Sequence, residues 1–266
     1  QQTSRRHAKQ AEAWAAEQER KAEEERRFEE KKQRERERRR REEEEERERR
    51  RREEKRTTRG RLFYWNMLDD SDFIKNSLVD EKVTSIATNG DATIALYESG
   101  SWAWTSGLPT GLHNKLNGRS RSLPSPIYVA LGTEDRYYIE FANGKSQWYC
   151  GDDDFHDEIL QTSRKVRSVA FGPDYDSWFI VYEDGYWKHS GNIPAGLSQL
   201  IISRNRRADL TCVSLGPDDE WYLAAENGEF WFGNESSDCS DCIRDIKSSL
   251  TFLDFGTDGG YIARYN

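Results

Sequence analysis

The chain beyond residue 82 repeats one unit, and no other feature restricts its fold as much. Four segments align directly: VTSIATNGDATIALYESGSWAW from Val83, YVALGTEDRYYIEFANGKSQWY from Tyr128, VRSVAFGPDYDSWFIVYEDGYWK from Val166 and TCVSLGPDDEWYLAAENGEFWF from Thr211. A fifth, TFLDFGTDGGYIARYN from Thr251, stops halfway. The turn markers Asn89, Gly132, Gly172, Gly216 and Gly256 are 43, 40, 44 and 40 residues apart. A repeat of this length is one supersecondary unit that buries its apolar faces only by stacking on its neighbours.

Each unit divides in the same way. A short strand (85–87, 129–131, 168–171, 213–215, 253–255) runs into a turn of Gly-Pro-Asp type, and an alternating strand such as 178–182 follows. Then comes Asp-Gly, Asn-Gly or Ser-Gly, a hairpin signal, and an aromatic third strand. Short amphipathic helices are expected at 111–117, 155–161, 196–202 and 241–247. The small side chains Ala87, Ala130, Ser168, Ala170 and Ser214 suit a crowded axis, which places the first strand innermost. Trp65, Trp102, Trp104, Trp148, Trp187 and Trp231 then fall on third strands. A Trp at one register in each unit reads as packing rather than as a sugar platform.

The fifth unit lacks its third strand and helix, and residues 60–79 supply them in order: GRLFYWN, then DDSD, then FIKNSLV. They match GEFWFGNESSDCSDCIRDIKSSL almost residue for residue, so the last unit is expected to join 251–266 to 60–79 and to close the array without free edges. On these residues the segment 60–266 resembles a β-propeller repeat protein, with a blade number similar to that of tachylectin-type lectins. Its signature (Leu/Phe-Gly-Pro-Asp, an aromatic pair, Asn/Asp-Gly, Trp) is not the Gly-His and Trp-Asp pair of WD40 repeats, so no site carries over from either family. The expected fold is all-β: a five-bladed β-propeller, residues 60–266, with one short helix per blade, preceded by a long charged α-helix, residues 1–59.

Charge separates these two parts. Residues 1–59 hold 23 basic and 18 acidic side chains, and residues 60–266 hold 18 and 31, so a stalk of +5 joins a domain of −13. The domain carries eight of the nine Trp and enough apolar residues for one core. Residues 8–56 contain no Pro or Gly and are mostly Glu, Arg, Lys, Gln and Ala, strong helix formers. Nine Glu residues precede a Lys or Arg by four positions, among them Glu30 before Arg34 and Glu45 before Arg49. At about 0.2–0.5 kcal/mol each, such pairs stabilise a helix that has no packing partner. Trp14 and Phe28 allow one short coiled-coil contact, but no apolar seam runs through 29–61. In composition this segment resembles the ER/K single helices of myosins and caldesmon-like proteins, about 70 Å long at 1.5 Å per residue. The runs Arg38, Arg39, Arg40, Arg41 and Arg49, Arg50, Arg51, Arg52 are its candidate contacts for RNA, an acidic filament or an import receptor, with nucleic acid reaching residues 34–56. Interleaved Glu and the lack of an aromatic there oppose nucleic acid.

Little else points to chemistry. Cys150, Cys212, Cys239 and Cys242 make no disulfide framework. Cys239 and Cys242 have metal-ligand spacing without a second pair, so small apolar packing at a helix start is the reading, with no metal and no cofactor expected. Asp152, Asp153 and Asp154 resemble a hard-cation site but occupy the place of helix N-caps, as do Asp69, Asp70 and Asp72, and Ser236, Ser237 and Asp238. His113, His156 and His189 are not equivalent among the units, and Asp254 is the one inner-strand carboxylate. These features argue against an enzyme and against a small-molecule substrate. No stretch approaches a membrane span, and a cytoplasmic or nuclear location is expected. Basic loops follow two of the helices, with Arg119 and Arg121 in one and Arg204, Arg206 and Arg207 in the other. Matched loops on an acidic domain are the expected partner-binding residues of a non-catalytic interaction or scaffold module. The alternatives are a carbohydrate-binding propeller and an RNA- or filament-binding helix.

Overall fold

The computed structural model describes residues 32–33, 39–40, 62–65, 78, 81–118, 124–205, 207–246 and 250–265. The chain divides into two compact units, Gln1–Glu54 and Lys55–Asn266. In the first, Lys32, Gln33, Arg39 and Arg40 are helical and exposed.

The second unit is mostly strand. Its described residues form five three-stranded antiparallel sheets, four α-helices of eight to ten residues and a 3-10 turn, Thr257–Gly259. Strand β1 (Leu62–Trp65) is followed by β2 (Val83–Thr88), β3 (Thr93–Tyr97), β4 (Trp102–Trp104) and helix α1 (Thr110–Asn117). Next come β5 (Pro126–Leu131), β6 (Tyr137–Phe141), β7 (Ser146–Tyr149) and α2 (Asp153–Gln161), then β8 (Val166–Phe171), β9 (Trp178–Tyr182), β10 (Trp187–His189) and α3 (Ala195–Ser203). The fourth group is β11 (Leu210–Leu215), β12 (Trp221–Ala225), β13 (Phe230–Gly233) and α4 (Ser237–Ile246), and β14 (Leu250–Phe255) and β15 (Tyr261–Tyr265) end the order. Four sheets are sequential meanders. The fifth has the order β1-β15-β14, with Leu62 opposite Tyr265 and Trp65 opposite Ile262.

The repeat extends to backbone detail. All five first strands begin earlier than the alternation suggests, because a bulge near the start of each interrupts the pattern, between Val83 and Ser85, Pro126 and Tyr128, Val166 and Ser168, Leu210 and Cys212, and Leu250 and Phe252. In two sheets the skipped residue is a Thr whose hydroxyl donates to the carbonyl across the strand pair, Thr84 to Leu96 and Thr251 to Arg264. The four hairpins between second and third strands close with the N–H of Gly100, Gly144, Gly185 or Gly228 on the carbonyl three residues back. Each of these glycines has φ between 76 and 85°, the left-handed region that follows a type I turn in hairpins of this length. Helix α4 starts at Ser237, ahead of the expected 241, because the Ser236 hydroxyl accepts the Cys239 N–H and sets the cap upstream.

Successive first strands face each other: β2 meets β5, β5 meets β8, β8 meets β11, β11 meets β14, and β14 meets β2. The core is correspondingly split into five apolar clusters, one at each seam between neighbouring sheets. Residue parity on the second strand assigns side chains to seams. On β9, Trp178, Ile180 and Tyr182 enter the seam with the sheet before, and Phe179 and Val181 enter the seam with the sheet after. Both faces are therefore buried, which is why WFIVY is one apolar run rather than an alternation. Each helix covers the seam ahead of its own sheet: Leu112 and Leu116, Phe155, Leu197 and Ile201, and Ile243 are all buried there. Leu78, also helical, packs in the seam between the β14 and β2 sheets. The architecture is all-β and propeller-like.

Candidate functional site

The five first strands enclose a cavity of about 430 Å³. An inner strand is an edge strand, with one row of backbone groups left unpaired by its own sheet. Here side chains of the neighbouring sheet satisfy several of them. The Val129 N–H donates to Ser85 Oγ at 3.2 Å, the Val169 N–H to the Tyr128 hydroxyl at 2.8 Å, and the Val213 N–H to Ser168 Oγ at 3.3 Å. The Tyr128 and Ser168 hydroxyls donate in turn to the Val169 and Val213 carbonyls. Burial pushes the Tyr128 phenol above its ordinary pKa, so it stays a neutral donor.

Across the seam from β14 to β2 the pattern changes, because Phe252 occupies the place of these hydroxyls and Asp254 takes over. The Thr88 N–H donates to Asp254 Oδ2 at 2.9 Å, and the Ser214 hydroxyl also bonds this carboxyl. None of the ion pairs among the described residues involves Asp254. Burial without a counter-charge raises its pKa from 3.8 to about 7, more than these bonds lower it. Between those values the folded chain holds a proton that the unfolded chain releases, so this group costs stability increasingly as pH rises from 4 to 7 and fully above 7. Asp254→Asn is expected to melt at least about 3 °C above the unsubstituted protein at pH 8 and close to it at pH 4, read from thermal melts. An equal difference at both pH values would contradict an ionisation effect.

Three buried arginines join neighbouring sheets, and sequence reading did not single them out. Arg136, fully buried, donates to the Asp174 carbonyl at 2.6 Å and the Gly172 carbonyl at 2.5 Å in the next sheet's turn. The other units carry Ala92, Ser177, Glu220 and Gly260 at its position. A lone Arg in a column that otherwise holds three small residues and one Glu is the available signal. Arg167 and Arg264 reach equivalent carbonyls at the start of the following first strand, Leu210 at 3.5 Å and Val83 at 2.9 Å.

The expected partner-binding arginines are placed unequally. Arg204 caps α3, pairs with Asp209 at 2.6 Å and lies 4.3 Å over the Trp231 ring, its side chain 10% exposed. That arginine anchors its own loop. Arg207 reaches Asp209 only at 3.7 Å and is 67% exposed. Arg119, Arg121 and Arg206 lie outside the described residues, as do Arg38, Arg41, Arg49, Arg50, Arg51 and Arg52 of the charged segment. Hairpin 183–186 lies beside the 204–209 loop, with the Leu210 N–H on the Gly185 carbonyl. On this hairpin Tyr186 is exposed beneath the Arg164 guanidinium at 4.2 Å.

The remaining candidates are packed. Cys239 and Cys242 sit on the buried face of α4 beside Tyr222 and Leu253, and burial pushes the Cys239 thiol up to about 12. Among the described residues no three His, Cys, Asp or Glu side chains group as metal ligands. Asp152 accepts the Phe155 N–H at 2.8 Å as the cap of α2, and Trp178 Nε1 also reaches it at 3.3 Å. The histidines share an environment that their positions in the units hide: His113 meets Trp104, His156 meets Trp148 and His189 meets Trp187, ring centres 5.5–5.8 Å apart. Trp65, Trp102, Trp104, Trp148, Trp187 and Trp231 pack half-buried against the seams. No described helix is long and apolar enough to cross a membrane.

No family model matches the chain, and no curated protein does. Among solved structures, human WBSCR16 is similar over 70% of this chain and 58% of its own, at 13% identity and a TM-score of 0.40. The C-terminal domain of gp131 from bacteriophage phiKZ is similar over 61% and 54%, at 14% identity and a TM-score of 0.33. YCF48 bound to D1 peptide is similar over 60% and 50%, at 12% identity and a TM-score of 0.25. The chain thus spans about half the length of these structures, and likenesses this distant assign it neither a family nor an activity.

Proposed function

We propose that residues 60–266 form a closed five-bladed β-propeller that acts as a non-catalytic interaction module, carried on a charged helix, residues 1–59, that sets its distance within an assembly. The observation that carries this reading is the end of the sheets at which the helices run back into first strands. Leu160, Tyr186 and Ile202 are 61%, 48% and 75% exposed there, and the loop that follows Ile202 carries the exposed cation Arg207. Exposed apolar and aromatic groups next to an arginine favour a protein partner. The polar groups of the seams support the same reading, since the arginines and hydroxyls there bond backbone, and the half-buried or exposed histidines stand against tryptophans.

Arg207, Arg206, Arg119 and Arg121 are the contacts in this proposal, and Arg204 holds the loop of Arg207 in place. Ile202→Asp combined with Arg207→Glu is expected to remove partners captured by the unsubstituted chain, as identified by mass spectrometry, with a melting temperature unchanged within about 2 °C. Undiminished capture by the folded double variant would defeat the assignment.

A further inference from the structure

We propose that the cavity enclosed by the five first strands binds a small organic cation, a compact primary ammonium ion, against the Asp254 carboxylate. The site lies inward of the end on which the interaction reading rests and uses none of the residues named for that reading. The enclosed volume of about 430 Å³ lies in the range of small-ligand pockets. Its wall is mixed, with alanines, Val129, Val169 and Val213 supplying apolar surface and hydroxyl and charged side chains the rest.

The charge pattern selects the ligand. Asp254 is the one carboxylate on a first strand, and it is met by neutral donors, the Thr88 N–H and the Ser214 hydroxyl. The groups that feel its charge from neighbouring strands are Tyr128 and Cys212, both kept neutral by burial, which raises each pKa. Arg167 lines the cavity too, but it is engaged by the Leu210 carbonyl and by Glu226 at 3.5 Å. A half-buried carboxylate held only by neutral donors lacks a counter-ion, and a bound ammonium supplies one. A divalent metal fits less well, since no third acidic or imidazole ligand gathers there among the described residues. An anion would face the same carboxylate. The way in matches: Glu226, Gly228 and Glu229 are exposed cavity-lining residues, so the rim where the cavity meets solvent carries two carboxylates, one of them paired with Arg167. Asp254 lies three residues along β14 from Thr251 at that end, about 10 Å inward.

The probe is n-butylammonium chloride, with n-butanol and sodium chloride as controls, titrated into the full chain at pH 8 by calorimetry and by thermal melt. Saturable binding with a rise in melting temperature is expected for the amine alone. Asp254→Asn, which keeps an acceptor for the Thr88 N–H, is expected to bind at least tenfold more weakly while remaining folded by circular dichroism. Lowering the pH to 5.5 should weaken binding to the unsubstituted chain by a similar factor, because Asp254 takes up a proton while the amine stays charged. This second measurement stands whether or not the variant folds. Absence of saturable binding, equal binding of butanol, equal binding by a folded Asp254→Asn variant, or affinity independent of pH would each overturn the proposal.

Discussion

A chain that starts after Met67, and so lacks β1, is expected to lose cooperative folding, whereas one that starts at Gly60 should melt sharply. Strand β15 is the middle strand of its sheet, paired with β14 on one side and β1 on the other. Without β1, four residues of backbone on β15 lose their partners, and Trp65 leaves the seam that holds Leu78, Val83, Ile86 and Phe252. Tyr261, Ile262, Ala263 and Arg264, all buried, would then border an open edge. Unpaired backbone in a buried setting costs about 1–3 kcal/mol per group, against a total domain stability of about 5–15 kcal/mol. Circular dichroism and thermal melts of the two chains test this directly. A synthetic peptide of residues 60–67 should restore the transition to the shortened chain by adding back the strand. Sharp melts within about 3 °C of each other would show that closure contributes little.

Phe155→Ala is expected to be the most damaging single substitution among the helices, at about 3–5 kcal/mol. Its ring is fully buried at the seam between the second and third sheets, with ring centres 5.3 Å from Phe171 and 5.5 Å edge-on from Trp178. Removal leaves a cavity that cannot easily collapse, because Trp178 is held by its indole N–H on Asp152 and its backbone on Ser190. Urea unfolding of Phe155→Ala beside Ile202→Ala gives the contrast, since Ile202 lies on a helix but is 75% exposed and should change stability by no more than about 0.5 kcal/mol. A loss below about 1 kcal/mol at Phe155 would mean that α2 is not integral to the seam.

What could be read in the residues was what repeats. The turn glycines, the Asn-Gly and Asp-Gly hairpins and the aromatic third strands recur at one period, so strand order within each sheet follows from local sequence alone. The pairing of β1 with β15 spans almost the whole second unit, yet it is legible because GRLFYWN occupies the place that GEFWFGN holds in the preceding unit. What could not be read depends on the neighbouring unit. Arg136 looks like a turn residue until the carbonyls of residues 172–177 are placed around its guanidinium. Arg204 looks like one more loop cation, but Trp231, which covers it, comes from the next sheet. Asp254 was visible as an inner carboxylate, whereas the environment that perturbs it comes from Thr88 and Ser214 on two other strands. Bulges at the start of every first strand left no sequence mark, since the skipped residues are Thr84, Ile127, Arg167, Thr211 and Thr251.

The register of β1 against β15 also determines how the ring responds to tension. Leu62, the first residue of β1, lies opposite Tyr265, the last of β15, so the chain leaves the sheet from both strands at the same end. A pull between the flanking segments loads one residue pair at a time, beginning with Leu62 and Tyr265, instead of shearing the whole interface at once. Mechanically the pairing of β1 with β15 is a zipper, and a load applied at Leu62 and Tyr265 would open this sheet before it strained any of the four meanders.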